Sequence, residues 1–395
     1  MVRRALIVDA VRSPFGRGRP TGVLAPVHPV DLLATVFEAL VIRTGFDPAR
    51  IDDVMVGCAI PVGEQAGNIA RHAALAAGLP ESVPATTVDR KCGSSQQALQ
   101  FASAVIAAGE ADAVLVGGVD MMGTVPMKAN RLGRDDLGPR LRARYPEGLG
   151  HQGIAAELIA TRWKLGREEC DAWSLRSHRR AAAARRNGFL ARQIVPVARS
   201  DGSVVDADEG IRDDASLEGL AGLPPAFYSE EAAQRWPEID WVVTAGSSSQ
   251  VSDGASAALL VADDAADRLA VAPRAAVVAG AVVGADPILM LTAPIPATDK
   301  VLERAGLSLS AIDHFEVNEA FAPVVLAWLA DTEADPERVN PYGGAIALGH
   351  PPGASGCRLA ATVLDGLDDV NGRYGLVTMC ESGGMANATV LERLS

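Results

Sequence analysis

Gly45-Phe-Asp-Pro-Ala-Arg-Ile-Asp-Asp-Val-Met-Val56 and Gly306-Leu-Ser-Leu-Ser-Ala-Ile-Asp-His-Phe-Glu-Val317 share one local plan. Each reads as a helix end, a short turn, the pair Ile-Asp and then a strand. The first strand runs into Gly57-Cys58 and the second into Asn318-Glu319. Glycine suits the left-handed residue that closes a helix, and an apolar run after a turn suits a buried strand. Downstream, each copy continues with a glycine-bearing turn, an Ala-rich helix and another strand. The helices are expected near Ser94–Ala108 and Ser355–Leu364. A repeated unit of this kind predicts two similar halves.

Working outward, short Val/Ile/Leu runs such as Ala113-Val-Leu-Val-Gly117 and Tyr374-Gly-Leu-Val-Thr378 alternate with Ala-rich helical segments. Uninterrupted apolar strands between helices imply sheets covered on both faces, so the fold class is α/β. Between the halves, residues 121–241 are rich in Arg, Asp and Glu and poor in continuous strands. They read as an inserted helical and loop domain. The N-terminal half is then 1–120, completed by about 242–270, and the C-terminal half is 271–395. The insert carries two basic clusters, Lys128/Arg131/Arg134/Arg140/Arg142/Arg144 and Arg176/His178/Arg179/Arg180/Arg185/Arg186. Either they hold a phosphorylated ligand or they are solvated helix faces.

The chain has 395 residues, 48% of them hydrophobic, which is enough for a sizeable core without metal or disulfide staples. Its net charge of −13 argues against nucleic acid and anionic membranes as partners. Five cysteines at wide spacings, without CxxC, argue against a disulfide framework or a zinc site. The longest apolar run, Ala275 to Ala285, is too short to span a bilayer. The strand-like run Ala5-Leu-Ile-Val8 follows the start at once, without a signal-type apolar leader, so the expected compartment is the cytoplasm.

Four loop segments carry chemistry. Cys92 lies between the β-branched run Thr86-Thr-Val88 and a helical pattern with Ala98, Phe101, Ala102 and Val105 on one face. A helix N-terminus supplies orphan N–H groups that favour a thiolate and can donate to an oxyanion. A buried inert cysteine fits this one feature equally well. His350 lies in a stretch with five glycines between Gly343 and Gly356, neither a P-loop nor a dinucleotide fingerprint. Between Gly349 and Pro351 its backbone is rigid, with little room to pack as core. It is a candidate base for a cysteine, or a structural loop histidine. Cys380 ends the strand Leu376-Val-Thr-Met379, where a thiol could serve as acid and base. Asn318, at another strand end, can orient a water or an oxyanion.

Val88-Asp-Arg-Lys-Cys-Gly-Ser-Ser-Gln-Gln-Ala98, Asn318-Glu-Ala-Phe321, Gly349-His-Pro351 and Cys380-Glu-Ser-Gly-Gly384 resemble, in this order, the four active-site loops of the thiolase family. The likeness is to the acetyl-CoA acetyltransferase and 3-ketoacyl-CoA thiolase branch and covers essentially the whole chain. It implies a thiolase fold, two mixed-sheet halves in α-β-α-β-α layers with an inserted loop domain, assembled as a homodimer or homotetramer. It implies coenzyme A as co-substrate, no permanently bound cofactor and no metal. It further implies that Cys92 takes up the acyl group and His350 deprotonates it. Cys380 would move the proton at the α-carbon, and Asn318 would hold a water that forms one oxyanion hole with His350. The backbone N–H groups of Cys92 and Ser382 would form the other. Ser249 matches the family's pantetheine contact, Arg212 its nucleotide contact, and His151 and Met290 its pocket lining.

Ser95, Ser382 and Ala386 stand where the family usually has glycine, and Pro352 follows Gly-His-Pro. Gly93-Ser-Ser-Gln-Gln97 and Met290-Leu-Thr-Ala-Pro294 resemble instead the branch acting on bulky or steroid-derived acyl-CoAs. The expected reaction is thiolytic cleavage of a 3-ketoacyl-CoA, or its reverse, with acetoacetyl-CoA an unpromising main substrate. Two other readings compete. A ketoacyl synthase pairs a cysteine with two histidines, or with His and Asn, and has no need of Cys380. A non-catalytic CoA-binding protein would lack a reactive thiol.

Overall fold

The computed structural model describes residues 3–146 and 148–394. The chain begins with β1 (Ala5–Arg12), β2 (Gly16–Arg17), α1 (Pro29–Thr44), β3 (Asp53–Gly57), α2 (Ile69–Ala76), β4 (Ala85–Val88), α3 (Ser94–Ala108) and β5 (Ala113–Met121). The middle segment holds α4 (Gly138–Arg144), α5 (Gln152–Trp163), α6 (Arg167–Arg186), a small hairpin of β6 (Val197–Ala198) and β7 (Val204–Val205), α7 (Leu217–Ala221) and α8 (Glu230–Arg235). Then come β8 (Ser252–Ala262), α9 (Ala266–Leu269), β9 (Ala275–Gly284), α10 (Pro294–Ala305), β10 (His314–Val317), α11 (Ala322–Thr332), α12 (Ala345–Leu348), α13 (Pro352–Val370), β11 (Tyr374–Glu381) and β12 (Met385–Arg393).

The repeated stretch folds the same way twice. Gly45 closes α1 and Gly306 closes α10, each at φ 65°. At such a backbone angle a side chain is strained, which is why both helices end on glycine. Each is followed by one 3-10 turn, Pro48–Arg50 or Leu309–Ala311, a buried Ile51 or Ile312, and a parallel strand.

In the first half the strands run β4-β3-β5-β8-β1, with β4, β3 and β5 parallel and β8 antiparallel to its neighbours. The second half repeats this as β10-β11-β12-β9, with β10 and β11 parallel and the rest antiparallel. The counterpart of β4 is reduced to one bridge, Phe315 with Val339. The halves also join edge to edge. β1 pairs β9 at Leu6–Ala276 and Ile7–Ala275, so the strands form one continuous path.

Helices cover both faces. α1 lies outside the first half and buries Leu32, Leu33, Val36, Phe37 and Leu40. Each such side chain contributes about 1.5–3 kcal/mol when removed from water. α10 lies outside the second half, against β9 and β12. Between the halves α3 and α13 pack on each other. Their approach is close: a Cβ on Gly356 would lie 2.2 Å from the Gln96 nitrogen, and one on Gly118 would lie 1.9 Å from the Gly353 carbonyl oxygen.

Two expectations change. The buried stripe of α3 is Ala98, Leu99, Ala102 and Ile106, whereas Phe101 is exposed and Val105 only partly buried. A helix clamped between a sheet and another helix buries a wider arc than one face predicts. The basic clusters are engaged in part within the chain, six of their twelve residues forming ion pairs among the described residues. Arg131 and Arg142 pair with Asp136 and Asp135, Arg176 and Arg180 with Glu337, and Arg185 and Arg186 with Asp213. His178 is buried and accepts from the Arg212 backbone N–H at 3.2 Å.

Candidate active site

Parallel strands deliver polar residues at their C-terminal ends, where α/β proteins bind ligands. β4 leads to Cys92, β10 to Asn318, and β11 ends on Cys380-Glu381. The turn before α3 is tight. Lys91 has φ 49°, and the Asp89 carboxylate accepts from its backbone N–H at 2.8 Å. Ser94 Oγ accepts from the Arg90 N–H at 2.9 Å and donates to the Lys91 carbonyl at 2.6 Å. Cys92 is thereby held one residue before Gly93, the N-cap of α3. In the same way His350 precedes α13, its ring close to the helix start.

Cys92 is buried and its thiol is pushed up to about 12. Burial is the main cause, followed by the negative charges of Glu381 and Asp120. The backbone N–H groups of Ser382 and Cys92 itself pull the other way. This corrects the expectation of a standing thiolate: the helix end favours the anion, but burial and two carboxyls outweigh it. The Ser382 N–H is thus near enough to the sulfur to favour its anion. Ser382 is absent from the positive-φ residues, whereas Gly383 and Gly384 have φ of 93° and 80°, so serine is tolerated where those glycines are required.

Cys380 is buried and its thiol is raised well above its ordinary value, by burial and next by Cys92. The two sulfurs therefore share one neighbourhood. On its other side Cys380 belongs to an apolar cluster with Met290, Leu291, Ala320, Phe321 and Val243.

His350 is also buried, against the expectation of little room in the core. Its Nδ1 lies 2.6 Å from Ser355 Oγ, which donates onward to the Pro351 carbonyl at 2.8 Å. The serine has one proton, already given away, so Nδ1 carries the ring proton and Nε2 is left with its lone pair. Asn318 Nδ2 lies 3.4 Å from that Nε2, and no protein group donates to the buried Asn318 Oδ1. Burial, then the charge of Arg358, lowers the imidazole to about 3, so it is neutral near pH 7.

The other sequence candidates lie at varied depth. Ser249 is half-buried and its N–H donates to the Ala320 carbonyl at 2.9 Å, two residues from Asn318. Arg212 is exposed, but its segment is tied in by Gln250 Nε2, which donates to the carbonyls of Gly210, Ile346 and Ala347. His151 is exposed, caps α5 and lies with its ring 5.6 Å from that of Phe227, tilted by 37°. Met290 is buried at φ 49° in the cluster with Cys380.

Sequence reasoning missed three participants. Ser355 fixes the imidazole, Gln152 donates to Ser382 Oγ, and Glu381 sits over Gly93. The cue for Ser355 was its place one helical turn beyond Pro351. Among the described residues no group of three or more His, Cys, Asp or Glu is arranged to hold a metal, and no helix is long and apolar enough to cross a membrane. The chemistry on hand is a neutral base, two protonated thiols and N–H donors.

Residues 5–264 match the family model "Thiolase, N-terminal domain" and 271–393 match "Thiolase, C-terminal domain". The steroid 3-ketoacyl-CoA thiolase FadA6 of Mycobacterium tuberculosis is 46% identical over 100% of this chain and 95% of its own length. A 3-ketoacyl-CoA thiolase of Erwinia tasmaniensis is 43% identical, covering 100% of both. Among solved structures, the acetyl-CoA acetyltransferase of Bacillus anthracis superposes with a TM-score of 0.88 at 35% identity, over 100% of this chain and 99% of that one. Human mitochondrial 3-ketoacyl-CoA thiolase gives 0.88 at 34%, over 100% of both. With both family models covering nearly the whole chain and relatives matching it over its full length, this protein belongs to the thiolase family, as an acyltransferase.

Proposed function

We propose that the protein cleaves 3-ketoacyl-CoA with CoA-SH to give acetyl-CoA and a shortened acyl-CoA, or runs the reverse condensation. The observation that carries this is the presence of two buried thiols, Cys92 and Cys380, with Cys92 close enough to act on Cys380. One thiol and a base suffice for hydrolysis; a second supports making and breaking a carbon–carbon bond. A ketoacyl synthase has no use for the second thiol.

In the proposed cycle His350 Nε2 takes the Cys92 proton as sulfur adds to the 3-keto carbon. The C2–C3 bond breaks, the acyl group stays on Cys92, and the acetyl-CoA enolate takes its proton from Cys380. CoA-SH then gives its proton to the Cys380 thiolate and attacks the acyl-cysteine, and Cys92 leaves, taking its proton back from His350. Two anions form, so two sets of donors are needed where charge develops. The Cys92 and Ser382 N–H groups are proposed to serve one, and His350 with a water held by Asn318 the other.

CoA is the co-substrate, with no resident cofactor or metal. Ser249 is assigned to the pantetheine arm, Arg212 to the nucleotide, and His151 and Met290 to the acyl pocket. The proposed loop domain, 121–241, shapes the acyl end between halves 1–120 (with 242–270) and 271–395. The apolar cluster around Cys380 and the name of the mycobacterial relative favour a bulky, steroid-derived acyl group over a short linear one. The proposed setting is cytoplasmic, as a homodimer or homotetramer; the charge of −13 disfavours nucleic acid and anionic membranes.

The test separates the half-reactions. Cys92→Ala abolishes acyl transfer. Cys380→Ser still forms acyl-enzyme, seen as a mass shift on Cys92, yet loses carbon–carbon cleavage. Equal loss of both half-reactions in Cys380→Ser sinks the division of roles. A panel of 3-ketoacyl-CoAs, from short linear to sterol-derived, ranks the substrates by kcat/KM.

A further inference from the structure

Strand alternation sends Cys380 to one face of β11 and Glu381 to the other. Glu381 is fully buried, and among the described residues no group donates to either carboxyl oxygen. It lies against the start of α3, where a Cβ on Gly93 would meet Glu381 Oε1 at 2.0 Å and Asn387 Oδ1 at 2.8 Å. Two acceptor oxygens thus crowd one point. Asn387 is diagonal to Glu381 across the β11–β12 pair, since Glu381 faces Met385 and Met379 faces Asn387.

Asn387 cannot relieve the clash of acceptors by turning its amide over. Its Nδ2 donates to Gln97 Oε1 at 3.2 Å and to Gln100 Oε1 at 2.9 Å. Gln100 is fixed in turn, because its Nε2 donates to the Ala388 carbonyl at 2.9 Å and Thr389 Oγ1 at 3.1 Å. Asn387 Oδ1 is therefore an acceptor with no protein donor. Burying a lone acceptor costs about 1–3 kcal/mol, and burying an unpaired carboxylate costs more. One proton on Glu381 removes both costs.

We propose that Glu381 is carried as a neutral carboxylic acid whose hydrogen bond to Asn387 Oδ1 seats the β11–β12 turn on α3, making it a positioning residue that holds the Ser382 N–H on Cys92 while keeping negative charge away from the sulfur. The charged or titratable groups around it are Arg90 and Cys92 from the turn before α3, with Cys380 beside it on the opposite face of β11; Asp120 of β5 also acts on Cys92. Asn387, Gln96 and Gln97 bring no charge. Burial pushes the carboxyl up to about 8, against the pull of Arg90. As pH rises past that value the acid ionises and opposes the Cys92 thiolate. The functional meaning rests on Cys92 being the nucleophile; the ionisation state of Glu381 does not.

The experiment follows iodoacetamide labelling of Cys92 in the intact enzyme from pH 6 to 10, in the wild type and in Glu381→Gln. Glutamine is neutral and can donate to Asn387 Oδ1. The variant is expected to match the wild type at pH 6.5 and to exceed it roughly tenfold above pH 9, where the wild-type carboxylate repels the thiolate. Faster labelling of Glu381→Gln already at pH 6.5 overturns the proposal. Infrared difference spectra, wild type minus Glu381→Gln, which cancel other buried acids such as Glu157, should show a protonated-carboxyl C=O band at pH 6.5 that bleaches by pH 10. Its absence at pH 6.5 overturns the proposal equally. Acylation of wild-type Cys92 by acyl-CoA tests the nucleophile separately, so the two failures are distinguishable.

Discussion

Ser355 accepts from His350 at 2.6 Å while its own proton goes to the Pro351 carbonyl, so one hydroxyl both sets the tautomer of the imidazole and ties it to the start of α13. Removing it leaves a buried Nδ1–H without an acceptor, a cost of about 1–3 kcal/mol. The ring can escape that cost by moving its proton to Nε2, which destroys the base. Ser355→Ala is therefore expected to slow acyl-enzyme formation by about 10-fold to 100-fold, as such a cost predicts. Rapid-mix mass spectrometry of the acylated protein reads the rate; a rate within twofold of wild type would rule the serine out.

The pH profile of that same step follows from burial. His350 is held near 3, so it remains neutral and basic far below the usual histidine range. Acyl-enzyme formation should stay flat from pH 7.5 down to about 5.5, without the limb that an ordinary histidine gives near 6.5. A single-proton fall centred near 6.5 in wild type, absent from Ser355→Ala, would mean that the imidazole is hydrated and charged.

Much of this was legible in the sequence, for a physical reason. Glycine at the end of α1 and of α10, then Ile-Asp, then a strand is a local code, so the echo of Gly45–Val56 in Gly306–Val317 translated directly into matching halves. Cys92, Asn318, His350 and Cys380 were legible because each sits at an element boundary that local pattern marks. Depth was not. The helix N-terminus at Cys92 predicts a lowered thiol, but burial, and after it Glu381 and Asp120 from strands far along the chain, reverse it. Ser355, Gln152 and Glu381 act through partners 5, 230 and roughly 290 positions away, and only packing supplies such partners. Phe101 failed similarly: α3 buries the arc facing two neighbours, not the stripe that one-sided periodicity picks out.

Folding stability should fall as the solution becomes alkaline. Glu157 is buried, accepts from the Val242 and Val243 N–H groups at 2.9 and 3.0 Å, and is raised to about 7. Burial is the cause, and Glu381 behaves alike at about 8. Both folded values exceed the unfolded one, so the native state holds protons that the unfolded chain has released. Stability is then lost as pH rises through the folded values, by up to about 1.4 kcal/mol per group per pH unit. The thermal midpoint, followed calorimetrically, should decline from pH 6.5 to 8.5. A flat or rising curve would show that these carboxyls are already ionised at pH 6.5.

Gly93 offers the sharpest test of the packing beside Cys92. Its φ of −85° is open to any residue, so alanine there meets no backbone strain, although at an N-cap glycine is preferred to alanine and the helix start gains nothing. The obstacle is spatial: the new methyl would lie 2.0 Å from Glu381 Oε1. Gly93→Ala must push the carboxyl out of its buried site and drag the β11–β12 turn with it. The variant should lose about 1–3 kcal/mol, the usual cost of overpacking. Shortening the opponent reverses the logic, because Glu381→Ala removes two of the three atoms nearest the methyl and leaves Asn387 Oδ1 at 2.8 Å. The double variant should therefore be more stable than the sum of the single effects predicts, by about 0.5–3 kcal/mol, as expected for residues in contact. Urea unfolding of the four proteins measures this coupling, and strict additivity would show that the Glu381 side chain does not occupy the space over Gly93.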